Sequence, residues 1–244
     1  MVEHIAVFGG SGAIGGAMLA ELQARYPKAD ICAVSRSGRL SFLLPDEQGV
    51  RHFPGLDLTC QESIEALCSK VLEKGFPDLV LVATGVLHGD GFAPERSLTA
   101  LDQSSLEKVM AINFIGPSLL MKCFLSKVPR KGAFRMGLLS ARVGSISDNR
   151  LGGWYAYRSS KAALNMMIKG AAIELRRRNP EAIVVGLHPG TVDSDLSKPF
   201  QANVPMEKLF DPAFSAKALI DVLLSRSHAD SGRCYDWAGK EIDP

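Results

Sequence analysis

Residues 4–26 read HIAVFGGSGAIGGAMLAELQARY. HIAVF (4–8) is a short apolar run with β-branched residues, the signature of a buried strand. From Ala13 to Tyr26 the apolar positions recur at helical spacing. Between them lies the loop GGSGAIGG (9–16), in which Gly10-Ser11-Gly12-Ala13-Ile14-Gly15 spells G-x-G-x-x-G between a strand and a helix. Glycines there permit positive φ and let the backbone approach a pyrophosphate, while the helix start supplies N–H donors and partial positive charge. A merely tight turn would not need four glycines in seven residues. The stretch predicts a dinucleotide site at a first βα turn.

The same alternation continues. DICAVS (30–35) reads as a second strand, VRHFPGL (50–56) holds a third, and DLVLVAT (78–84) is a continuous apolar strand of the kind buried on both faces. AFRMGLLS (133–140), AIVVGL (182–187) and GRCYDWA (232–238) follow as strands. Helical patterns cover 60–74, with Asp57 or Thr59 as its cap, about 102–127 with Pro117 bending or interrupting it, a long run from about 154 stopped by Asn179-Pro180, and a last one near 214–225. This order predicts α/β architecture: a single-domain Rossmann fold over 1–244, with a doubly wound parallel sheet of about seven strands and helices on both faces.

A formal charge of +2 gives no reason to expect nucleic acid or an anionic membrane as partner. The basic run Arg176-Arg177-Arg178 suits a solvated helix C-terminus. Five scattered cysteines without Cys-x-x-Cys spacing argue against zinc and disulfides and for a reducing compartment. The N-terminus lacks the basic and apolar segments of a signal peptide, and no run is expected to reach bilayer-spanning length. A soluble, cytoplasmic protein is the expectation.

The second strand ends Val34-Ser35-Arg36-Ser37, with no carboxylate where one would hold an adenosine ribose 2′-hydroxyl. Asp30 stands at the strand's other end. Arg36 could pair with a 2′-phosphate through a charge-assisted fork, or be an ordinary surface arginine; NADP is favoured over NAD. In YAYRSSK (155–161), Tyr157 and Lys161 are four apart and share a helix face, whereas Tyr155 and Lys161 do not. By itself that pattern is weak.

Taken together, the loop, the Tyr–Lys pair and the order of elements resemble the short-chain dehydrogenase/reductase family over nearly the whole chain, in particular its small carbonyl reductases and C-factor-like proteins. The resemblance puts that family's glycine positions on Gly9, Ala13 and Gly15, so the middle glycine is an alanine, with Ser11, Gly12 and Ile14 completing the loop. It implies that Asp57 and Leu58 hold the adenine edge and that Ala83-Thr84-Gly85 stand where many relatives have Asn-Ala-Gly. Asn113, in MAINFIGP (110–117), would organise a proton-relay water near Lys161; in isolation it is equally a polar residue satisfying helix backbone. Pro189, Gly190, Thr191 and Val192 would close over the nicotinamide, with Ser194 the downstream hydroxyl. Tyr157 becomes the acid/base, and Tyr155 a core or pocket-wall aromatic.

One departure stands out. Relatives carry Ser-Ser at the end of the fifth strand, where this chain has Ser140-Ala141. Ser140 is the first candidate to replace the missing hydroxyl, although strand alternation would point it the other way; Ser145 is the second. The implied reaction is reversible hydride transfer between NADP(H) and a carbonyl/alcohol pair, in a homo-oligomer. The alternative is a cofactor-binding regulatory or signalling protein with little turnover. An epimerase or dehydratase would need more chain after His188. The histidines lack metal-ligand spacing, His188 reads as structural or pocket-lining, and Trp154 and Trp237 read as packing residues. Asp193 and Asp195 suit a solvated substrate loop. Specificity is expected in 86–97, 144–154 and 193–206, with Leu196 and Phe200 hinting at an apolar wall.

Overall fold

The computed structural model describes residues 2–38, 40 and 49–244. Seven strands form one parallel sheet in the order β3-β2-β1-β4-β5-β6-β9: β1 (His4–Phe8), β2 (Asp30–Val34), β3 (Val50–Phe53), β4 (Leu79–Val82), β5 (Arg135–Leu139), β6 (Ile183–His188) and β9 (Cys234–Asp236). The chain starts at the centre, builds one edge, and returns to build the other. The reversal between β1 and β4 opens a crevice at the strands' C-terminal ends, where open α/β sheets bind ligands. A two-residue parallel ladder joins β7 (Thr191–Val192) to β8 (Leu209–Phe210).

Strand alternation creates two cores. Ala6 and Phe8 of β1 face a layer containing Ile64, Phe124 and Leu164, from α2 (Gln61–Leu72), α4 (Gly116–Leu125) and α5 (Tyr155–Arg178). Ile5 and Val7 face Leu19 and Leu219 from α1 (Ala13–Arg25) and α6 (Pro212–Ser225). Helices therefore cover both faces, and all four residues of β4 are buried. This is the α/β Rossmann-like sheet of seven strands that the sequence predicts.

Three local details differ from the expectations. The helix over 102–127 is α3 (Gln103–Met110), a π turn (Ala111–Ile115) and α4, so the irregularity centres on Asn113. Pro117 lies in the first turn of α4; it lacks the N–H that would bond the Asn113 carbonyl, and the helix widens just before it. Neither Asp57 nor Thr59 caps α2, which starts after Cys60 without a side-chain cap. Asp57 Oδ1 instead accepts from the Thr59 amide (2.8 Å) and hydroxyl (2.6 Å) in a turn of its own. Finally, Gln103–Leu125 has the length and apolarity of a membrane span, contrary to expectation. In this fold its Leu120, Met121 and Phe124 pack into the core beneath the sheet.

The end of α5 follows the sequence. Buried Asn179 donates from Nδ2 to the carbonyls of Pro129 (2.8 Å) and Gly132 (2.9 Å), and its Oδ1 accepts from the Glu181 amide. Those bonds anchor the helix that carries Tyr157 and Lys161.

Candidate active site

The loop after β1 is tied to β2 through the Gly9 and Gly10 amides, which donate to the Val34 carbonyl at 2.8 and 3.2 Å. Gly9 has φ +93°, and a Cβ there would lie 2.7 Å from the Ala83 carbonyl oxygen. At Gly15 a Cβ would come within 2.1 Å of the Gly9 oxygen. Both positions therefore require glycine. Gly12 caps α1 without a side-chain bond, and the first turn, which starts at Ala13, holds no acidic residue. Its N–H groups and positive dipole end are left for an anionic ligand.

A cleft of about 270 Å³ runs from Ser11–Ile14 past Ala83–Gly85 to Tyr157 and Lys161, with Pro189 and Ser194 on its far side. The Thr84 hydroxyl in its wall is buried and has no hydrogen-bond partner among the described residues. An unpaired polar atom beside a glycine cradle and a helix N-terminus fits a dinucleotide. Ser35, Arg36, Asp57 and Leu58 lie outside this cleft. Ser35 is buried, donating to the Ser37 carbonyl (2.7 Å) with its Oγ 2.8 Å from His52 Nε2. Arg36 and Asp57 are exposed, and Leu58 packs against Gly116.

Asn113 and Lys161 meet behind Gly85: a Cβ on that glycine would stand 3.4 Å from Asn113 Oδ1 and 3.5 Å from Lys161 Nζ. Fully buried Asn113 clamps the loop after β4, accepting from the Val86 amide (2.8 Å) and donating to the Val86 carbonyl (2.8 Å) and Ser160 Oγ (3.2 Å). Lys161 is also buried, and its Nζ donates to the Leu139 carbonyl at 2.9 Å. Loss of hydration pulls its ammonium down to about 8 and pushes the Tyr157 phenol up to about 12. Lys161 Nζ sits 5.7 Å from the centre of the Tyr157 ring. Tyr155, half-buried, lines neither this cleft nor the cavity beside it.

That neighbouring cavity, of about 240 Å³, shares Tyr157 and has a mostly apolar wall including Leu87, Val143, Trp154, Leu196 and Phe200. Trp154 thus lines a pocket, whereas Trp237 packs on Phe210 and Phe214. Pro189, Gly190, Thr191 and Val192 form another side. Gly190 has φ +78°, and a Cβ would strike the Phe210 ring at 2.5 Å. His88 Nε2 lies 3.1 Å from the Asp195 carbonyl oxygen, joining two of the expected specificity loops, and Asp193 accepts from Gln201 Nε2 at 3.0 Å.

At the end of β5, Ser140 borders both cavities, but its hydroxyl donates to Asn165 Oδ1 at 2.6 Å. Ala141 lines the second cavity. Ser145 accepts from the Asp148 amide (3.1 Å) and lines neither.

Sequence reasoning missed Glu95. Its Oε2 accepts from the Ala156 amide (3.2 Å) and its carbonyl from the Trp154 amide (2.6 Å), so it caps α5 from 61 residues away in the chain. Trp154 itself is left-handed, with φ 52°. No local motif announces such a cap. Among the described residues, no group of three or more His, Cys, Asp or Glu gathers as a metal site.

Residues 3–205 match the short chain dehydrogenase family. A Rhodococcus sp. protein, 1-hydroxy-2-glutathionyl-2-methyl-3-butene dehydrogenase, is 33% identical over 186 residues, covering 76% of each chain. The C-signal of Myxococcus xanthus is 33% identical over 147 residues, 60% of this chain and 82% of that one. In structure, NADPH-bound carbonyl reductase from chicken fatty liver superposes with a TM-score of 0.84 at 23% identity, over 100% of this chain and 99% of its own, a likeness of fold. A short-chain dehydrogenase/reductase from Burkholderia multivorans with bound NADP gives 0.80 at 25% identity over the full length of both. With the glycine cradle, the sheet order and these relatives in agreement, the chain belongs to the short-chain dehydrogenase/reductase family and is an oxidoreductase of that type.

Proposed function

We propose that residues 1–244 form one oxidoreductase domain that uses NADP(H) to interconvert a carbonyl compound and an alcohol, with Tyr157 as acid/base. The observation that carries this reading is that Tyr157 and Lys161 line the end of the cleft that begins in the glycine loop, with Lys161 Nζ and Asn113 Oδ1 both beside Gly85. NADP-bound relatives of the same fold support the cofactor. Gly9–Gly15 and the start of α1 would hold its pyrophosphate, Arg36 its 2′-phosphate, Asp57 and Leu58 its adenine, and Pro189–Val192 its nicotinamide end. When bound, the reduced nicotinamide supplies hydride to the carbonyl carbon.

Tyr157 gives its phenolic proton to the carbonyl oxygen as the alcohol forms. With its affinity for protons pushed up to about 12, the phenol is held protonated and ready to act as the acid. Lys161, near 8, remains mostly charged at neutral pH and favours the phenolate once the proton has left. Asn113 holds the loop after β4 against α5, which fixes the floor under both groups.

NADPH oxidation across a panel of aldehydes, ketones and quinones, with NADH and Tyr157→Phe alongside, tests the proposal. NADPH-preferring turnover should fall about 10²–10⁴-fold in Tyr157→Phe, the usual worth of a general acid. Undiminished turnover in that variant would refute it. A second reading, a cofactor-binding regulatory or signalling protein, is favoured by Ala141 and by similarity to the C-signal; it predicts NADPH binding without turnover. The proposal extends to a homo-oligomer, which light scattering of the purified protein would test, and to a cytoplasmic location, which cell fractionation would test.

A further inference from the structure

His188 ends β6 and lines the cavity that holds Tyr157 and Ala141. Its Nδ1 is enclosed with no hydrogen-bond partner among the described residues, while the residue keeps part of its surface open. Nε2 is not among the enclosed, unpartnered atoms and no described residue bonds it, so it is the ring nitrogen left for a ligand. Burial, reinforced by the positive charge of Arg142 and opposed by Asp236, holds the imidazole down at about 4, so it is neutral at physiological pH. An N–H enclosed at Nδ1 without an acceptor would cost about 1–3 kcal/mol, so the ring's single proton belongs on Nε2.

The hydroxyls expected to replace the missing serine are engaged elsewhere. Ala141 has none, Ser140 donates to Asn165, and Ser145 accepts from the Asp148 amide. A neutral imidazole carries one N–H, and with the proton on Nε2 only a lone pair remains enclosed.

We propose that His188 donates a hydrogen bond from Nε2 to the substrate's carbonyl oxygen, alongside Tyr157, in place of a hydroxyl at position 141. This rests on the carbonyl reduction proposed above. A neutral donor polarises the carbonyl and stabilises the negative charge that develops on oxygen without placing a second cation beside Lys161. With Leu87, Trp154 and Phe200 forming the wall, the cavity takes an apolar aldehyde or ketone whose polar end meets Tyr157 and His188.

The test is a double-mutant cycle of His188→Leu and Ala141→Ser, using an apolar carbonyl from the panel that the parent enzyme reduces. It reads kcat, KM and NADPH affinity by fluorescence titration, with Tyr157→Phe in parallel. His188→Leu should lower kcat about 10²–10³-fold, as loss of one oxyanion donor does, with NADPH affinity within about threefold of the parent. Adding Ala141→Ser should restore about tenfold or more, because a hydroxyl would again face the carbonyl. Unchanged kcat in His188→Leu, a loss confined to NADPH affinity, or no rescue by the serine would each overturn the role. If His188→Leu does not fold, His188→Met is read the same way. Collapse of Tyr157→Phe with His188→Leu unaffected removes only this inference. Full turnover in Tyr157→Phe, or no NADPH binding or turnover in the parent, removes the proposed function and this inference with it.

Discussion

Replacing Lys161 by methionine should stabilise the ligand-free protein while it abolishes turnover. The ammonium is buried, and its pKa falls from 10.5 to about 8 because burial penalises the charged form. At about 1.4 kcal/mol for each pH unit, the folded state carries a penalty of about 3 kcal/mol at neutral pH. Methionine removes that penalty at similar length, but leaves the Leu139 carbonyl without its donor, at a cost of about 1–3 kcal/mol. The balance is a gain of up to about 2 kcal/mol, or a rise in Tm of up to about 8 °C for a chain of this size.

The pH dependence has a definite sign. Between about 8 and 10.5 the unfolded parent binds more protons at this site than the folded one, so its stability rises with pH there. The penalty is complete below about 8 and gone above 10.5, and the variant's advantage should shrink across that window. Saturating NADPH should invert the order: about 2.7 kcal/mol accrues to a protein at a hundred times its Kd, and the variant, lacking the lysine at the end of the cleft, gains less. Thermal melts of both proteins across this pH range, with and without NADPH, measure each quantity. A ligand-free variant melting below the parent at neutral pH would refute the reasoning, as would a gap that does not change with pH.

Gly15→Ala should abolish NADPH binding and lower stability by about 1–3 kcal/mol, since its methyl collides with the Gly9 carbonyl, a backbone group that cannot turn aside as a side chain could; titration and melts check it. Arg36→Ala should weaken NADPH about ten- to a hundredfold, the worth of a charge-assisted bond, and leave NADH nearly unchanged. Glu95→Ala should cost about 1–2 kcal/mol as a lost helix cap and lower kcat by loosening the first turn of α5, whereas Glu95→Gln, which keeps an acceptor, should recover most of both. Equal losses in the two Glu95 variants would show that the amide bond is not what matters.

The framework was legible because its signals are local. HIAVF, the glycine loop and AMLAEL carry strand, turn and helix in adjacent residues, and the alternation continues to GRCYDWA. The spacing of Tyr157 and Lys161 on one helix likewise needs only the helical period. The cap on α2 was misread because Asp57 finds a nearer donor in Thr59 than the helix offers, a competition between local bonds that composition does not rank. Apolar length likewise could not say that Gln103–Leu125 would pack beneath a sheet.

From its own residues the sequence determined the α/β alternation, the first βα turn as the ligand end, and the pairing of Tyr157 with Lys161, since strand, turn and helix periods act over a few neighbours. Tertiary structure decided which polar groups are already spent and which are left for chemistry. Asn113 reaches Val86 and Ser160, Ser140 turns to Asn165, Glu95 caps a helix that begins sixty residues later, and His188 Nδ1 finds no partner among the described residues. Hydrogen-bond satisfaction in a buried site depends on segments far apart in the chain, and only their packing brings donor and acceptor within reach.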